Sequence, residues 1–457
     1  MKNKINVLEV GLKSDPNELQ SKCFQSIIDQ YANENNIIYF PKGTYVLSTI
    51  ILKNNTHILI DKDAIILGAK SFYDYQMPEK YAYPLYQDCS HSNFNCSLFT
   101  GKNLTNITIE GLGTIDMRSV WDLDNVRDIV HRGPKCITLV QCNNALIKDL
   151  TILNVTDLAV YFVSSNNVVC DNLKLKVYID GISPDNSKNV EIKNCNVEAG
   201  DDGVVFKSTY NLNKLDYCKD IYVHDCVIKS RCNAIKFGTE TNGGFYNIKC
   251  ENIKIYDCRI TAISVESVDG AILDNIIFNN INISNVGTPF FVFVGDRLRG
   301  PKSTKVGSIS NVTFTNIKLD GNYHLYDCMA YNFFSYIAND NKQWPGHFSK
   351  DQEKAPGTWQ ISNLIFGHKD SYIKNITFKN IDLMLDGGVN QKVNDFDLSK
   401  TSGYPEISMF GNIALPAYGF NFINVDGLTI DNVNNKLLHN DAREEYYFKN
   451  VTNQKIK

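Results

Sequence analysis

A short unit that joins Asn to alternating apolar residues recurs along most of the chain. It appears as "NNALIKDLTILNV" from Asn143, "NNVVCDNLKLKV" from Asn166, "SKNVEIKNCNVEAG" from Ser187 and "GAILDNIIFNNINIS" from Gly270. Apolar residues at a period of two predict strands with one buried face, and the Asn, Asp and Gly residues between them predict turns. Units of roughly 20 to 30 residues are too short to fold alone, so the repeats predict the stacked coils of a solenoid.

The repeats can be aligned on one apolar position in each coil. The positions that we take as equivalent are Ile147, Val168, Val190, Ile221, Ile248 and Ile276. An Asn also recurs at a fixed place in the coil. It predicts either a stacked ladder of side-chain amides or a series of simple turn residues.

Helical periodicity is confined to one amphipathic stretch, Glu18 to Glu34. A helix there is well placed to cap the open end of a solenoid, where apolar surface and strand edges are otherwise exposed. Three segments break the repeat, at residues 73–99, 287–307 and 323–356, and we expect them to be loops that build a binding face. We expect one domain over residues 1–457.

Composition and the start of the chain narrow the classes of partner and location. The net charge of −4 and the pI of about 6.1 give no reason to expect a nucleic acid or an anionic membrane as partner. The thirteen cysteines mostly occupy apolar repeat positions without zinc-site spacing, so buried free thiols are expected. The start shows no signal peptide, which predicts a cytoplasmic protein, or a secreted one if a signal was removed before Met1.

Carboxylates gather where two neighbouring coils begin a strand. Asp180 lies in "YIDGISPD", and Asp201 and Asp202 lie in "AGDDGVV", about one coil further on. Because adjacent strands lie about 4.8 Å apart, the three acids are predicted to converge on one exposed patch. A protonated acid beside an ionised one is what hydrolysis of a glycosidic bond requires. The alternatives are a calcium site and a solvated acidic turn.

The order "DGI…KNVEIKNC…GDDGVVFKS" resembles the polygalacturonase family of glycoside hydrolases, family 28. The early segment "IIYFPKGTYVLSTIILKNNTHILIDKDAIILG" is similar to the opening coils of that family, and "YPEISMFGNIALPAYGFNFINVDGLTI" is similar to its bacterial branch. The resemblance implies an all-β fold, a single-stranded right-handed parallel β-helix with the N-terminal helix as its cap. It also implies hydrolysis of a glycosidic bond in a pectin-like carbohydrate without any cofactor or metal.

Two of the family's four motifs retain their acids. The Asn-Thr-Asp motif falls on Tyr178, Ile179 and Asp180, where only the acid is kept, and the Gly-Asp-Asp motif is intact at residues 200–202. By resemblance, Asp202 is the general acid, and Asp180 and Asp201 share the role of base. Inversion at the anomeric carbon is expected, and it predicts carboxyl groups roughly 6.5–9.5 Å apart.

The other two motifs lose their basic residues. The Gly-His-Gly motif falls on residues 232–234 with Asn233 in place of the His, and the Arg-Ile-Lys motif falls on residues 264–266 with Ser264 and Glu266 in place of the cations. In the family those cations grip the carboxylate of a galacturonate, which a Glu repels. The substrate implied is therefore a pectin-derived or rhamnogalacturonan-like oligosaccharide, rather than that of a standard polygalacturonase.

Strand alternation selects the side chains that share a face with the acids. The predicted substrate-binding residues are Tyr178, Lys207, Asn233, Lys236, Ser264, Glu266 and, on a later loop, Arg297. Both lysines have an alternative as solvated or paired surface residues, and the arginine has an alternative as a loop salt bridge. Two other functions stay open: a β-helix polysaccharide lyase that uses one of these cations, and a carbohydrate-binding protein without catalysis.

Overall fold

A computed structural model describes residues 2–122, 132–320, 362–395, 407 and 414–457. The predicted loop at 323–356 lies outside the described residues. The chain divides into two compact units, one made of Met1–Ala199 and Thr209–Cys226 and the other of Gly200–Ser208 and Val227–Lys457. The fold is an all-β parallel β-helix with a helix near the N-terminus, as predicted.

The first unit consists of short parallel strands that return to the same position coil after coil. They are β1 (Asn3–Asn6), β2 (Asp15–Leu19), β3 (Asn36–Phe40), β4 (Gly43–Leu47), β5 (Ile50–Ile51), β6 (His57–Ile60), β7 (Ala64–Gly68), β8 (Ser97–Lys102), β9 (Thr105–Glu110), β10 (Thr114–Asp116), β11 (Lys135–Val140), β12 (Asn143–Lys148), β13 (Thr151–Leu153), β14 (Val160–Val163), β15 (Asn166–Asp171), β16 (Lys174–Val177), β17 (Ile182–Asp185), β18 (Lys188–Lys193), β19 (Asn196–Ala199) and, after β20 of the other unit, β21 (Tyr217–His224).

The second unit combines short strands with strands of up to 24 residues. They are β20 (Val204–Ser208), β22 (Val227–Ser230), β23 (Asn233–Thr241), β24 (Gly244–Ser267), β25 (Ile272–Val294), β26 (Ser308–Asp320), β27 (Asn363–Phe366), β28 (Ile373–Gly387), β29 (Ala417–His439), β30 (Glu444–Thr452) and β31 (Lys455–Ile456).

The register of the coils confirms most of the sequence alignment. Val168 pairs with Val190 and Val190 with Ile221 in the first unit, and Ile248 pairs with Ile276 in the second. The placement of Ile147 was wrong, because it pairs with Cys170 while Ala145 pairs with Val168. A shift of two residues leaves the same face buried, which is why apolar alternation does not detect it.

The recurrent asparagines form ladders as well as turns. In the first unit, Asn167 donates to Asn144 and Asn144 donates to Asn106, both at 3.2 Å. All three have φ between 55° and 59°, a left-handed conformation that Asn tolerates better than most residues. In the second unit, Asn275 donates to Asn247 in the same way at 3.0 Å. Both interpretations of the repeated Asn are therefore correct.

The N-terminal helix, α1, spans Ser21–Tyr31 and is shorter than the predicted 18–34. Residues 15–19 form β2 instead, which pairs with β4. The helix buries Phe24, Ile27 and Ile28. The Gln25 side chain bonds both the N–H (2.8 Å) and the carbonyl (2.9 Å) of Ile51. The helix therefore covers apolar surface and provides hydrogen-bond partners for the backbone of β5.

Two of the predicted loops are shorter than expected. The segment at 73–99 ends in β8, which begins at Ser97, and the segment at 287–307 begins inside β25, which continues to Val294. The residues of 290–294 are apolar, and Phe290 pairs with Ile263 while Phe291 pairs with Leu364. The second loop is therefore residues 295–307, directly after the strand that carries these aromatic residues.

The core of the second unit is a stack of aromatic rings. Phe278, Phe314 and Phe378 lie on successive coils, with ring centroids 5.0 and 4.8 Å apart and nearly parallel planes. The cysteines among the described side chains are free, and all except Cys23 are buried, as predicted. Within the described ranges, no helix is long and apolar enough to cross a membrane.

Candidate active site

A glycine-flanked turn at residues 200–203 positions Asp201 and Asp202 immediately before β20. Gly203 donates from its N–H to the carbonyl of Asn233 at 2.9 Å. A Cβ on Gly203 would come 2.7 Å from the carbonyl oxygen of Ala234 and 2.4 Å from Cγ2 of Ile228. The glycine is therefore needed because the backbone that carries the acids lies against the next coil.

The carboxylate of Asp202 is buried and held from both sides. Asn233 Nδ2 donates to its Oδ1 at 2.7 Å, and Lys236 Nζ lies 3.4 Å from its Oδ2. The Oδ1 of Asn233 accepts from the Thr261 hydroxyl at 2.6 Å. A buried carboxylate needs such partners, because an uncompensated charge in the interior is strongly destabilising.

Glu266 lies on β24 beside this arrangement, because Lys236 and Ser264 are register partners on β23 and β24. The Ser264 hydroxyl donates to Glu266 Oε1 at 2.5 Å. Burial raises the pKa of Glu266 to about 7, against the lowering effect of Lys236 and with a further raising effect from Asp202. The site thus contains a carboxyl group that changes charge near neutral pH.

A bulge in β23 brings a second acid into the same strand. Phe206 pairs with Phe237 and Ser208 with Thr241, so three residues of β23 lie opposite Lys207 alone. Gly238, in this bulge, has a φ of +115° that other residues rarely adopt. Glu240 then accepts from Lys207 Nζ at 2.8 Å.

Ion pairs connect the loop after β25 to Asp269 and Glu240. Arg297 donates from Nε (2.9 Å) and Nη2 (2.5 Å) to the two oxygens of Asp269, and Arg299 Nη2 donates to Glu240. A bidentate Arg–carboxylate pair of this kind fixes the loop geometry. Arg297 therefore forms a loop salt bridge, which was the alternative to its predicted role in substrate binding. Lys207 forms an ion pair, which was likewise the alternative to its predicted role.

Asp180 and Tyr178 belong to the first unit. Asp180 is buried, and its carbonyl accepts from the N–H of Ala159 at 3.0 Å. Tyr178 is half-buried, accepts from the Ser119 hydroxyl at 3.2 Å, and meets Trp121 edge to face.

Asp201 and Asp202 are adjacent in the second unit, whereas Asp180 lies in the first. The convergence of the three carboxylates and their separation of about 6.5–9.5 Å stay predictions. Their donor set also suits a hard cation such as calcium, the alternative left open above.

The expectation of an exposed acidic patch is wrong for Asp180 and Asp202, whereas Asp201 is partly exposed. Asp180 is 4% exposed and Asp202 is 2% exposed, and Lys207, Lys236, Ser264 and Glu266 are also buried. Their alternation with core residues such as Phe237 is as predicted. In the second unit these charged side chains are buried because acids and cations form ion pairs with one another. Hydrophobic alternation in the sequence does not reveal such pairs.

A comparison with models of known protein families shows which family the chain belongs to. The family described as "Glycosyl hydrolases family 28" matches residues 38–322, which is more than half of the chain. The chain belongs to family 28 of the glycosyl hydrolases. The matched range contains every residue that the sequence predicted for the site.

Relatives of this family 28 chain are distant. It is 26% identical over 267 residues to a probable polygalacturonase from Vitis vinifera, covering 54% of each protein. It is 23% identical over 323 residues to an exo-poly-alpha-D-galacturonosidase from Dickeya chrysanthemi, covering 58% of this chain and 53% of that one. The chain thus spans about half the length of these relatives. A family 28 exopolygalacturonase from Yersinia enterocolitica shares the fold, with a TM-score of 0.70, 17% identity, and coverage of 100% of this chain and 78% of that one.

Sequence reasoning missed several residues of this family 28 site. Glu240 and Asp269 were not selected, although Glu240 follows Lys236 at an even spacing on one strand. Arg231 and Arg259 were not selected either; both are buried, and the pairing of Asn233 with Thr261 places them about one coil apart.

Proposed function

We propose that this chain hydrolyses an α-glycosidic bond in a pectin-derived or rhamnogalacturonan-like oligosaccharide, with inversion at the anomeric carbon. The observation that carries the proposal is the Gly200–Asp202 turn, at which Asn233 and Lys236 hold the buried carboxyl group of Asp202, within a family 28 chain. Paired carboxyl groups are the chemical equipment of most glycosidases.

In the proposed reaction Asp202 is the general acid. Asp202 is protonated when substrate binds, and its O–H gives the proton to the glycosidic oxygen as the bond from that oxygen to the anomeric carbon breaks. Lys236, 3.4 Å from Oδ2, then stabilises the carboxylate that remains. A water molecule adds to the carbon from the opposite face, and its proton passes to Asp180 or Asp201.

The contacts of the cations favour hydrolysis over lyase chemistry. A lyase needs a basic group to abstract a proton, and the candidates were Lys207, Lys236 and Arg297. Each lies within 4 Å of a carboxylate, respectively that of Glu240, Asp202 and Asp269. An ammonium or guanidinium group that is held in an ion pair is a poor proton acceptor.

The test is a panel of pectic oligosaccharides that includes rhamnogalacturonan fragments, with products followed by proton NMR and by ultraviolet absorbance. We expect new reducing ends whose first-formed anomer is inverted, with no absorbance from an unsaturated sugar and no loss of rate in EDTA. An unsaturated product would establish a lyase, and a first-formed anomer with retained configuration would refute inversion. No cleavage of any member would support a binding protein.

A further inference from the structure

One oxygen of the Glu266 carboxyl group lacks a partner in the interior. Its Oε1 accepts from Ser264 at 2.5 Å, but its Oε2 is buried and has no hydrogen-bond partner among the described residues. Leaving a buried polar atom unsatisfied costs about 1–3 kcal/mol. Such an atom in a native protein calls for an explanation, of which a bound molecule is one.

The neighbours of Glu266 do not supply the missing bond. Phe293 is its register partner on β25 and has no polar group. Gly238 lies on the other side, where a Cβ would come 3.5 Å from Oε2. The residues level with Glu266 on the two neighbouring strands are therefore a phenylalanine and a glycine, and Oε2 lies near the glycine.

The charges around Glu266 do not favour a second anion. Lys236 lies 3.4 Å from Asp202, and Arg297 is bidentate on Asp269. Among the described residues, no cation lies within ion-pair distance of Glu266 itself. A uronate placed here would bring its carboxylate close to both Asp202 and Glu266, and like charges brought together cost several kcal/mol.

We propose that Glu266 is a specificity-determining residue, whose Oε2 forms a hydrogen bond with a hydroxyl group of an uncharged sugar and which excludes a uronate from this place. The inference rests on the proposed function and names its substrate class, a pectin-type oligosaccharide with a neutral sugar at this subsite. Four groups influence the charge of the carboxyl: Lys236, Asp202, Ser264 and Arg297. Burial raises the pKa of Glu266 to about 7, so near neutral pH it is able both to donate and to accept.

The test uses two probes that differ only at C6, D-galactose with a hydroxymethyl group and D-galacturonate with a carboxylate, titrated into the full chain by NMR at about pH 6 and about pH 8. We expect the wild type to prefer galactose by at least about tenfold, or 1.4 kcal/mol, with a larger preference at the higher pH. Glu266→Lys is expected to reverse the preference. Glu266→Gln, which is close in shape and is the safer variant for folding, is expected to improve galacturonate binding at the higher pH.

Glu251→Lys is the matched control, because Glu251 lies on the same strand in an ion pair with Lys249; it should leave the preference unchanged. Equal or better galacturonate binding by the wild type, binding of neither sugar, or a preference that neither Glu266 variant alters would overturn the inference. If Asp202→Asn stops hydrolysis but the Glu266 variants keep the sugar preference of the wild type, only the inference about Glu266 fails. If Asp202→Asn hydrolyses normally but the Glu266 variants change the sugar preference as expected, only the proposed reaction fails.

Discussion

Asn233 donates to Asp202 Oδ1 at 2.7 Å while its own oxygen accepts from Thr261. The amide is therefore bonded at both ends, and its orientation fixes that of the acid. Asn233 stands where the family resemblance places a histidine. We expect Asn233 to act in this chain as a positioning residue for Asp202.

Replacement of Asn233 by Ala should lower both stability and turnover. A lost hydrogen bond to a charged group costs about 1.5–3 kcal/mol, and a misplaced acid should reduce kcat more than it changes KM. Denaturant unfolding and steady-state kinetics measure the two effects. Asn279→Ala removes a bond to Glu251 at 2.6 Å on a strand without proposed catalytic residues and should leave kcat unchanged. A normal kcat in the Asn233 variant would show that Asn233 does not position the acid.

Glu240→Ala should destabilise the fold strongly. It leaves Lys207, which is 5% exposed, without its 2.8 Å partner, and breaking a buried ion pair from one side costs about 3–5 kcal/mol. Lys207→Met combined with Glu240→Leu removes both charges and should recover most of that loss. Urea midpoints compare the two variants. A single variant as stable as the wild type would contradict the role of the pair.

Gly203→Ala should disturb the turn that carries the acids. The new methyl group would meet backbone at 2.7 Å, and such overpacking typically costs about 1–3 kcal/mol. We expect a lower thermal midpoint together with reduced hydrolysis, because Asp202 is the adjacent residue. Gly11→Ala has a nearest non-neighbouring contact of 3.9 Å but a φ of +108°, so it tests backbone strain away from the site and should lower only the midpoint. Full activity of Gly203→Ala would refute the close approach.

Stability should fall as pH rises through the range in which Glu266 ionises. Because burial raises the pKa of Glu266 from 4.5 to about 7, the folded state holds a proton that the unfolded state releases above about pH 4.5. The resulting loss in the free energy of unfolding builds up between about pH 4.5 and about pH 7. It reaches on the order of 3 kcal/mol and stays constant at higher pH. Glu266→Gln should remove this slope. Parallel slopes for the variant and the wild type from pH 4.5 to 7 would contradict it.

The repeats predicted the fold because apolar alternation and Asn-rich turns are local signals that recur in each coil. They could not fix the exact register: Ile147 pairs with Cys170 rather than Val168, and both registers bury the same face. The helix was predicted too long for a related reason. Residues 15–19 pair with β4, and that long-range contact is not visible in helical periodicity.

The acids of the site were predictable because Asp180 and Asp201 stand about one coil apart. Their partners were harder to find. Glu240 reaches Lys207 only because a bulge at Gly238 changes the register of β23, and no simple rule of spacing predicts a bulge. Burial of the charged face depends on such pairs, so it was missed as well.

The rate of glycosidic bond cleavage by Asp202→Asn, measured beside the wild type on the best pectic oligosaccharide of the panel, tests the central claim most directly. Asn keeps the shape of the side chain and its place beside Asn233 and Lys236 but cannot transfer the proton. A positioned acid typically contributes about 10²- to 10⁴-fold, so we predict a loss of kcat of at least about 100-fold with an unchanged fold by circular dichroism. Cleavage at the wild-type rate would contradict hydrolysis with Asp202 as the general acid.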